Sequence, residues 1–270
     1  IFRIKKIILA VSGLGYIYLR ENILTKFFKK LLSIIYGIIL RYEKSYIIVQ
    51  NRDDLNIIQN FAKKDTQKRK IILIPGSGVD TNYFRPSPEK DGKIIISLVA
   101  RMIYDKGIKE FVCAAKILSK KYSNIEFNLF GRPDIYNPSS IEEKKLVDWD
   151  SEKILRWRGY EEDSLSIYHQ SHIIVLPSYR EGMPKVILEA SACGRPSVVT
   201  NVPGCKESII PNKTGLLVKL FDVDDLVKKI EQLIINKEMR IAMGSQARRF
   251  AEQTFDINII NQKQIYLYIN

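Results

Sequence analysis

The sequence is poor in the residues from which metal sites and disulfide frameworks are built. Its 270 residues include two histidines and three cysteines, and the cysteines form no C-x-x-C pair. An odd number of widely spaced cysteines indicates neither a disulfide framework nor a zinc site, and a reducing cytosol is the simplest setting. The sequence also lacks a run of about 18 unbroken apolar residues, so it predicts no membrane-spanning helix.

Acidic residues are scarce in the first third of the chain. Residues 1–90 hold 17 lysines and arginines against seven aspartates and glutamates, and they carry most of the net charge of +13. A basic segment favours an anionic partner such as lipid headgroups, a diphosphate or nucleic acid. The sequence shows no aromatic-interleaved RNA motif and no helix with a DNA-reading pattern. We therefore expect no nucleic-acid partner and favour a membrane surface or a lipid diphosphate.

The N-terminus lacks the features of a secretory signal. The sequence starts at Ile1-Phe2-Arg3 without a methionine, and no small-residue cleavage pattern follows this basic and apolar opening. We therefore expect the chain to begin inside a domain, as an N-terminally truncated form.

Strands and helices alternate along the chain. Short apolar runs that end at polar residues, glycine or proline predict strands, and segments with apolar residues at helical spacing predict helices. The predicted strands are 6–11, 45–49, 71–74, 93–99, 125–130, 157–160, 173–176, 197–200 and 215–218. The predicted helices are 26–41, 51–62, 108–119, 164–170, 186–192, 223–236 and 238–254. This alternation predicts doubly wound parallel sheets.

The most informative stretch is residues 176–204, LPSYREGMPKVILEASACGRPSVVTNVPG. Two carboxylates lie within it, Glu181 in the loop and Glu189 about two helical turns into the following helix. Backbone N–H groups around Gly182 and Met183 lie at the helix start, where anions bind. Such a site offers N–H donors for phosphate and carboxylates for hydroxyls, and sugar nucleotides carry both groups. The alternative is a solvent-facing pair of glutamates on an ordinary helix–strand connection.

This stretch resembles the donor site of a known enzyme family. Glu-x7-Glu, preceded by Pro-Ser and followed by EA-x-A-x-G-x-P, is similar to the motif of retaining GT-B glycosyltransferases of the group 1 type, also called family 4. The form REGMPKVILEA, with Lys185 where the wider family often has a small residue, resembles a bacterial subgroup. That subgroup adds N-acetylhexosamines to polyprenyl-diphosphate-linked sugars. The resemblance covers nearly the whole chain.

Arg101 and Lys106 form the second part of the predicted site. They lie five residues apart, just after the predicted strand 93–99, at the end where open α/β sheets bind ligands. Two cations there can hold a diphosphate and neutralise the charge that develops as a nucleotide leaves. The pattern VAR-x4-KG resembles the diphosphate-binding arginine and lysine of the family. The alternative for an arginine and a lysine near a loop is ordinary solvation.

The resemblance also assigns individual roles. It implies that Glu189 accepts hydrogen bonds from the ribose hydroxyls, and that Glu181, with the backbone of Gly182 and Met183, contacts the donor sugar and the diphosphate. Two glycines match the lining of the nucleotide cleft, and the alternative for each is a turn glycine. The candidate catalytic residues are Arg101, Lys106 and Glu181. The candidate donor-binding residues are Gly131, Gly159, Gly182, Met183, Pro184 and Glu189.

The predicted fold is α/β of the GT-B type, with two Rossmann-like doubly wound domains of which the first is incomplete. The segment GSGVD-x3-F-x-P resembles the entry to the linker between the domains of such enzymes. We expect residues 1–90 to be a partial acceptor-binding domain with the linker, and residues 91–254 to be the donor-binding domain. We expect the tail, residues 255–270, to return toward the first domain.

Three features allow other interpretations. Residues 26–41 predict a basic amphipathic helix, which suits either an anionic membrane surface or packing in a Rossmann core with exposed lysines. Asp148-Trp149-Asp150 matches the Asp-x-Asp of metal-dependent transferases, but it follows no strand, so we predict a solvated loop and no metal site. Gly13 and Gly15 imitate a dinucleotide fingerprint without its third glycine, and they also resemble a loop of the family's acceptor-binding domain.

We therefore expect a retaining, metal-independent glycosyltransferase of surface polysaccharide or glycan biosynthesis that uses no cofactor. The resemblance favours a UDP-linked N-acetylhexosamine as donor and a lipid-linked saccharide as acceptor. The expected location is cytoplasmic, with peripheral binding to the cytoplasmic face of the membrane left open. Two alternatives are a truncated nucleotide-sugar-binding module without turnover and an NAD enzyme that uses Gly13 and Gly15.

Overall fold

The computed structural model describes residues 5–18, 22–62 and 64–269. Its strands form two separate parallel sheets. The first sheet, of order β1-β2-β3, consists of β1 (Ile7–Val11), β2 (Ser45–Val49) and β3 (Ile71–Leu73). The helices of this part are α1 (Ile23–Arg41), α2 (Arg52–Gln59) and α3 (Asp65–Lys68).

The second sheet has six parallel strands in the order β6-β5-β4-β7-β8-β9. These are β4 (Ile94–Val99), β5 (Ile125–Phe130), β6 (Arg156–Gly159), β7 (Ile173–Leu176), β8 (Ser197–Thr200) and β9 (Gly215–Val218). Its helices are α4 (Ile108–Lys121), α5 (Glu143–Ser151), α6 (Ser164–Gln170), α7 (Lys185–Ala192), α8 (Val223–Ile235) and α9 (Lys237–Phe250). The strand order reverses between β4 and β7, and open α/β sheets bind ligands at such a point.

The inner strands of the second sheet are buried on both faces, as expected for a parallel sheet covered by helices. All four residues of β7 are at most 1% exposed. On one face the rings of Phe111 and Phe127 pack edge to face with their centroids 5.3 Å apart. On the other face Leu176 packs against Ile187 of α7. Because apolar layers hold each strand from both sides, the strand ends that carry the candidate residues are firmly placed.

The C-terminal segment folds back onto the first sheet. After α9 the chain forms a π-helical turn, Ala251–Phe255, and then α10 (Ile257–Ile269). Ile260 and Leu267 of α10 are buried against apolar residues of the first sheet. The sequence predicted no element here, because the apolar residues of this segment are spread around the helix and form no single stripe.

Most predicted elements lie within about one or two residues of the bounds that the structure shows, and strands 45–49, 125–130 and 197–200 agree residue for residue. The prediction of a solvated loop at Asp148-Trp149-Asp150 was wrong. These residues lie in α5, where Trp149 is buried and an Asp150 carboxylate oxygen accepts a hydrogen bond from the Trp157 amide at 3.2 Å. Leu146 and Trp149 form the buried side of this helix. Because charged residues surround them in the sequence, the helical spacing of the apolar residues was not recognised.

The helix predicted over residues 26–41 begins three residues earlier. Asn22 caps it, since its side-chain oxygen accepts a hydrogen bond from the Thr25 amide at 2.8 Å. Within the described ranges, none of the helices combines the length and the apolar character that crossing a membrane requires.

Candidate functional site

Two neighbouring cavities open at the carboxyl ends of the strands. The first, of about 390 Å³, lies between the two sheets and is called the junction cavity; its walls include Ser12, Gly13, Arg101, Lys106, Arg180 and Glu181. The second, of about 560 Å³, follows the second sheet and is called the sheet cavity; its walls include Ala100, Gly131, Arg132, Tyr160, Tyr168 and Glu189. Arg101 lines both cavities. A ligand that fills both therefore passes its guanidinium.

Glu181 lies in the junction cavity, on the loop that leaves β7. Its carboxylate forms an ion pair with the ammonium group of Lys106, and the two side chains are 13% and 19% exposed. Lys106 ends a 3-10 turn after β4. The next residue, Gly107, has φ of 70° and packs against the Pro177 carbonyl, where no Cβ fits. This turn therefore holds the cation beside the carboxylate.

Glu189 lies in the second turn of α7 and lines the sheet cavity. The Tyr168 hydroxyl donates a hydrogen bond to its Oε2 at 2.6 Å, and Lys185 Nζ lies 3.5 Å from its Oε1. Burial, and then the nearby carboxylate, raise the pKa of Tyr168 well above the ordinary value of 10, so the phenol stays protonated and donates. The carboxylate is thus held at the cavity wall, where its remaining lone pairs can accept from ligand hydroxyls.

Arg101 follows β4 and has the most solvent contact of the charged candidate residues that line a cavity. Its Nη1 lies 2.6 Å from Asp134 Oδ2, and its side chain is 61% exposed. An exposed ion pair of this kind contributes little to stability. The guanidinium can therefore exchange this partner for an anionic ligand at low cost.

The two candidate glycines of the second sheet differ in their constraints. Gly131 has φ of 137°, and a Cβ at this position would overlap the Ala100 carbonyl oxygen, so only glycine fits. Gly159 accepts a hydrogen bond from the Gly131 amide at 2.6 Å and has open space around its Cβ position. Gly131 lines the sheet cavity. Gly159, which we also expected to line it, does not, and the next residue, Tyr160, does.

The loop that carries Glu181 is pressed against the first sheet at Gly182. A Cβ at Gly182 would overlap the Ser12 carbonyl oxygen, and one at Gly13 would lie 3.1 Å from Gly182 Cα. The Gly182 carbonyl accepts a hydrogen bond from Asn51 Nδ2 at 2.9 Å. The glycine at position 13 therefore has a packing role, which accounts for it without a dinucleotide.

Met183 and Pro184 lie outside the walls of both cavities. The Met183 side chain is half-buried and packs against the apolar cluster beneath α7. Pro184 is the residue before the first turn of α7 and makes no side-chain cap. The structure thus brings Arg101, Lys106, Glu181 and Gly182 together at the junction cavity. It places Gly131 and Glu189 at the sheet cavity, whereas Gly159, Met183 and Pro184 line neither cavity.

Sequence reasoning missed a buried polar group behind this loop. The Arg180 guanidinium forms an ion pair with the Asp54 carboxylate, which is fully buried. Asp54 Oδ2 also accepts hydrogen bonds from Asn51 Nδ2 at 2.9 Å and from the Leu14 amide at 3.3 Å. Asn51 is the first residue of the predicted helix 51–62, and in the structure it caps α2. The pairing of Arg180 with Asp54 spans 126 residues and leaves no sequence signal.

The two histidines bond to backbone groups. His172 Nδ1 accepts a hydrogen bond from the Ile95 amide at 3.0 Å, and its Nε2 lies 2.9 Å from the Lys90 carbonyl. Burial lowers the His172 pKa, which favours a neutral ring that donates from Nε2. His169 Nε2 lies 2.9 Å from the Arg85 carbonyl. In the described part of the chain, no three His, Cys, Asp or Glu side chains are grouped so that they could hold a metal ion.

The solved structures that match this chain include glycosyltransferases of the GT-B type. Sucrose-phosphate synthase from Thermosynechococcus elongatus matches with a TM-score of 0.79 and 22% identity, over 97% of this chain and 66% of that one. HepE from Anabaena, in complex with UDP, matches with a TM-score of 0.81 and 17% identity, over 97% and 71%. At these identities the likeness shows the fold alone, and it confirms the predicted fold class.

Sequence comparisons define the family. The model of the group 1 glycosyl transferases matches residues 79–250. The N,N'-diacetylbacillosaminyl-diphospho-undecaprenol alpha-1,3-N-acetylgalactosaminyltransferase of Campylobacter jejuni is 30% identical over 96% of this chain and 69% of its own length. The UDP-Gal:alpha-D-GlcNAc-diphosphoundecaprenol alpha-1,3-galactosyltransferase of Escherichia coli is 28% identical over 70% of this chain and 51% of its own length. The chain belongs to the group 1 glycosyltransferase family.

We predict that Gly182→Ala destabilises the chain by about 1–3 kcal/mol, because the added methyl group overlaps the Ser12 carbonyl oxygen. The measurement is the free energy of unfolding from urea titration. Gly37→Ala, within α1, is the control, since its Cβ would meet only the Phe61 carbonyl at 3.8 Å. It should be neutral or stabilising by up to about 1 kcal/mol. Equal unfolding free energies for the two variants would contradict the close approach at Gly182.

Proposed function

We propose that the chain is a retaining, metal-independent glycosyltransferase that moves a sugar from a nucleotide donor to a lipid-linked saccharide. One observation carries this proposal. The two carboxylates of Glu-x7-Glu line two adjoining cavities, and a single arginine, Arg101, lines both. A nucleotide sugar has the matching order of groups, with a ribose and a sugar on either side of a diphosphate.

The proposed donor lies with its nucleoside in the sheet cavity. Glu189 accepts hydrogen bonds from the ribose hydroxyls, and its Tyr168 partner keeps the carboxylate in place. The base lies near Tyr160, whose ring has the Arg132 guanidinium 5.1 Å from its centroid. The diphosphate then reaches Arg101, and the sugar enters the junction cavity beside Glu181.

The departing diphosphate needs positive charge, and two side chains can supply it. Arg101, whose side chain is exposed, exchanges its partner Asp134 for a phosphate, and Lys106 shares its ammonium group between Glu181 and the second phosphate. Lys106 is held in a partly buried position, and a cation fixed in this way stabilises developing charge with little reorganisation of water. We infer retention and the absence of a metal from the resemblance of the Glu-x7-Glu and VAR-x4-KG motifs to those of retaining family members.

The relatives support the class of acceptor and donor. The C. jejuni relative is named for N-acetylgalactosamine transfer to an undecaprenyl-diphosphate-linked sugar, and the E. coli relative for transfer from UDP-Gal to another such lipid. The chain spans 69% of the first relative and 51% of the second. We propose a UDP-linked N-acetylhexosamine as donor and a polyprenyl-diphosphate saccharide as acceptor. On this assignment residues 1–90 contribute to acceptor binding and residues 91–254 bind the donor.

The second candidate function is a nucleotide-sugar-binding module without turnover. Both cavities of the proposed donor site are lined by described residues, which favours donor binding by this chain itself. Transfer of labelled sugar to a polyprenyl-diphosphate saccharide decides between the two functions. Turnover excludes the module, and donor binding without transfer excludes the enzyme.

We predict that Glu189→Gln and Arg101→Ala each weaken the binding of UDP-GlcNAc at least tenfold. Each removes a hydrogen bond to a charged group, and such bonds contribute about 1.5–3 kcal/mol. The measurement is isothermal titration calorimetry, with UDP-GalNAc and GDP-mannose in parallel to identify the base and sugar. Arg156→Ala is the control, because Arg156 lies outside both cavities, 3.6 Å from Asp150, and it should bind within twofold of wild type. Unchanged affinity in Glu189→Gln would overturn the donor site.

We also propose that α1 lies on the cytoplasmic surface of an anionic membrane. Four large apolar residues of this helix, Phe27, Leu31, Ile34 and Ile38, are 41–62% exposed. Lys26, Lys29 and Lys30 lie among them. A helix with an exposed apolar side and nearby lysines suits the interface of a bilayer that carries negative lipids. A lipid-linked acceptor would then meet the junction cavity from the membrane.

We predict that the chain floats with vesicles that contain phosphatidylglycerol and not with neutral phosphatidylcholine vesicles. The double variant Phe27→Ser/Ile38→Ser should lose at least 80% of the floated fraction, because it removes the apolar contact. Ile235→Ser at the end of α8 alters a similarly exposed isoleucine elsewhere and should float as wild type does. Equal flotation with the two lipids, or no effect of the α1 substitutions, would contradict membrane binding by α1.

A further inference from the structure

The two residues that flank Glu181 in its loop both bond to the N-terminus of α2. Arg180, the residue before Glu181, pairs with Asp54. Gly182, the residue after it, accepts the hydrogen bond from Asn51. Asn51 and Asp54 both belong to the N-terminus of α2, where Asn51 Oδ1 also accepts from the Asp54 amide at 2.8 Å. The backbone on either side of the catalytic candidate therefore has one common anchor.

Asp54 joins the two walls of the junction cavity. One of its oxygens accepts hydrogen bonds from the Leu14 amide and from Asn51, and the other receives the Arg180 guanidinium. Leu14 belongs to the loop after β1, and Arg180 to the loop after β7. Asp54 itself is fully buried and does not line the cavity. Asp54 therefore orients groups at the cavity, but it does not itself reach a ligand there.

A buried ion pair of this kind is poorly explained by stability alone. Two charges lose their hydration on burial, and apolar residues of similar volume often hold a fold as well or better. What such a pair does supply is a fixed geometry, since its hydrogen bonds are directional. Here the pair fixes the backbone at Glu181, the single residue between Arg180 and Gly182.

We propose that Asp54 is a positioning residue for Glu181, acting through Arg180 and together with Asn51. This inference rests on the proposed transferase function. The Asp54–Arg180 pair holds the Arg180–Gly182 backbone so that the Glu181 carboxylate keeps its orientation toward the donor sugar. Nucleoside binding at Glu189 does not depend on the pair, because the sheet cavity has none of these residues in its walls.

The test uses the double variant Asp54→Asn/Arg180→Gln of the full chain. A single substitution would leave one buried charge without its partner, which destabilises the fold in its own right. The double variant removes both charges and keeps side chains of similar size. The control is Asp53→Asn, the neighbouring acid on the same helix, which pairs with Lys206 at 2.8 Å near the surface. It should match wild type in every measurement.

The first measurement is amide hydrogen exchange by mass spectrometry, which needs no enzymatic activity. The Glu181 amide donates to the Pro203 carbonyl at 3.1 Å, and this bond should open more often once the anchor is gone. We expect at least tenfold faster exchange in peptides covering residues 180–184, with α4 unchanged. Unchanged exchange at residues 180–184, or faster exchange throughout the chain, would overturn the proposal.

The second measurement is steady-state transfer. We expect kcat to fall at least tenfold in the double variant while KM for the donor stays within threefold, because orientation is lost and nucleoside binding is kept. A normal kcat, or a loss confined to KM, would overturn the proposal even if exchange is faster. If the wild-type chain transfers no sugar, the proposed function fails, and the exchange result alone then decides whether Asp54 anchors the loop.

Discussion

The arrangement of the site depends on one close approach between backbones. At Gly182 the loop that follows β7 lies against the Ser12 carbonyl. Any other residue at position 182 would place its Cβ in the space that this carbonyl oxygen occupies. Gly13 faces it from the first sheet, and Gly204 lies on the other side with its Cβ position 2.5 Å from the Glu181 and Gly182 carbonyl oxygens. Three glycines therefore let the carboxyl ends of both sheets meet around Glu181. Without this contact the junction cavity would lose one of its walls.

Because of this contact, the two halves of the chain contribute different groups to one site. The second half supplies the groups that suit a nucleoside and a diphosphate, since Glu189 lies on α7 and Arg101 follows β4. The first sheet supplies backbone walls and the buried carboxylate of Asp54, which acts on the loop and not on a ligand. The exposed basic helix α1 belongs to the same half, so the proposed acceptor site, the proposed membrane contact and the loop anchor lie in one part of the chain. The site is thus assembled from both halves, with Glu181 at their boundary.

Features with local causes could be predicted from the sequence, and those with long-range causes could not. Buried strands such as 173–176 carry their own signal in a short apolar run, and the spacing of Glu181 and Glu189 sets both on one strand–loop–helix unit. Asn51 could be predicted as a helix cap, but its second bond, to the Gly182 carbonyl 131 residues away, has no local signature. The α5 helix was missed because Trp149 lay hidden among charges, and α10 because its apolar residues form no stripe.

The most direct test of the proposed donor site is a crystal structure of the chain with a bound UDP-N-acetylhexosamine. The proposed site predicts ribose hydroxyls within hydrogen-bond distance of Glu189, a diphosphate oxygen at Arg101, and the sugar in the junction cavity beside Glu181 and Gly182. A nucleotide bound instead in the cavity lined by Pro86 and Arg195, on a different part of the second half, would contradict it. So would a donor whose diphosphate lies away from Arg101.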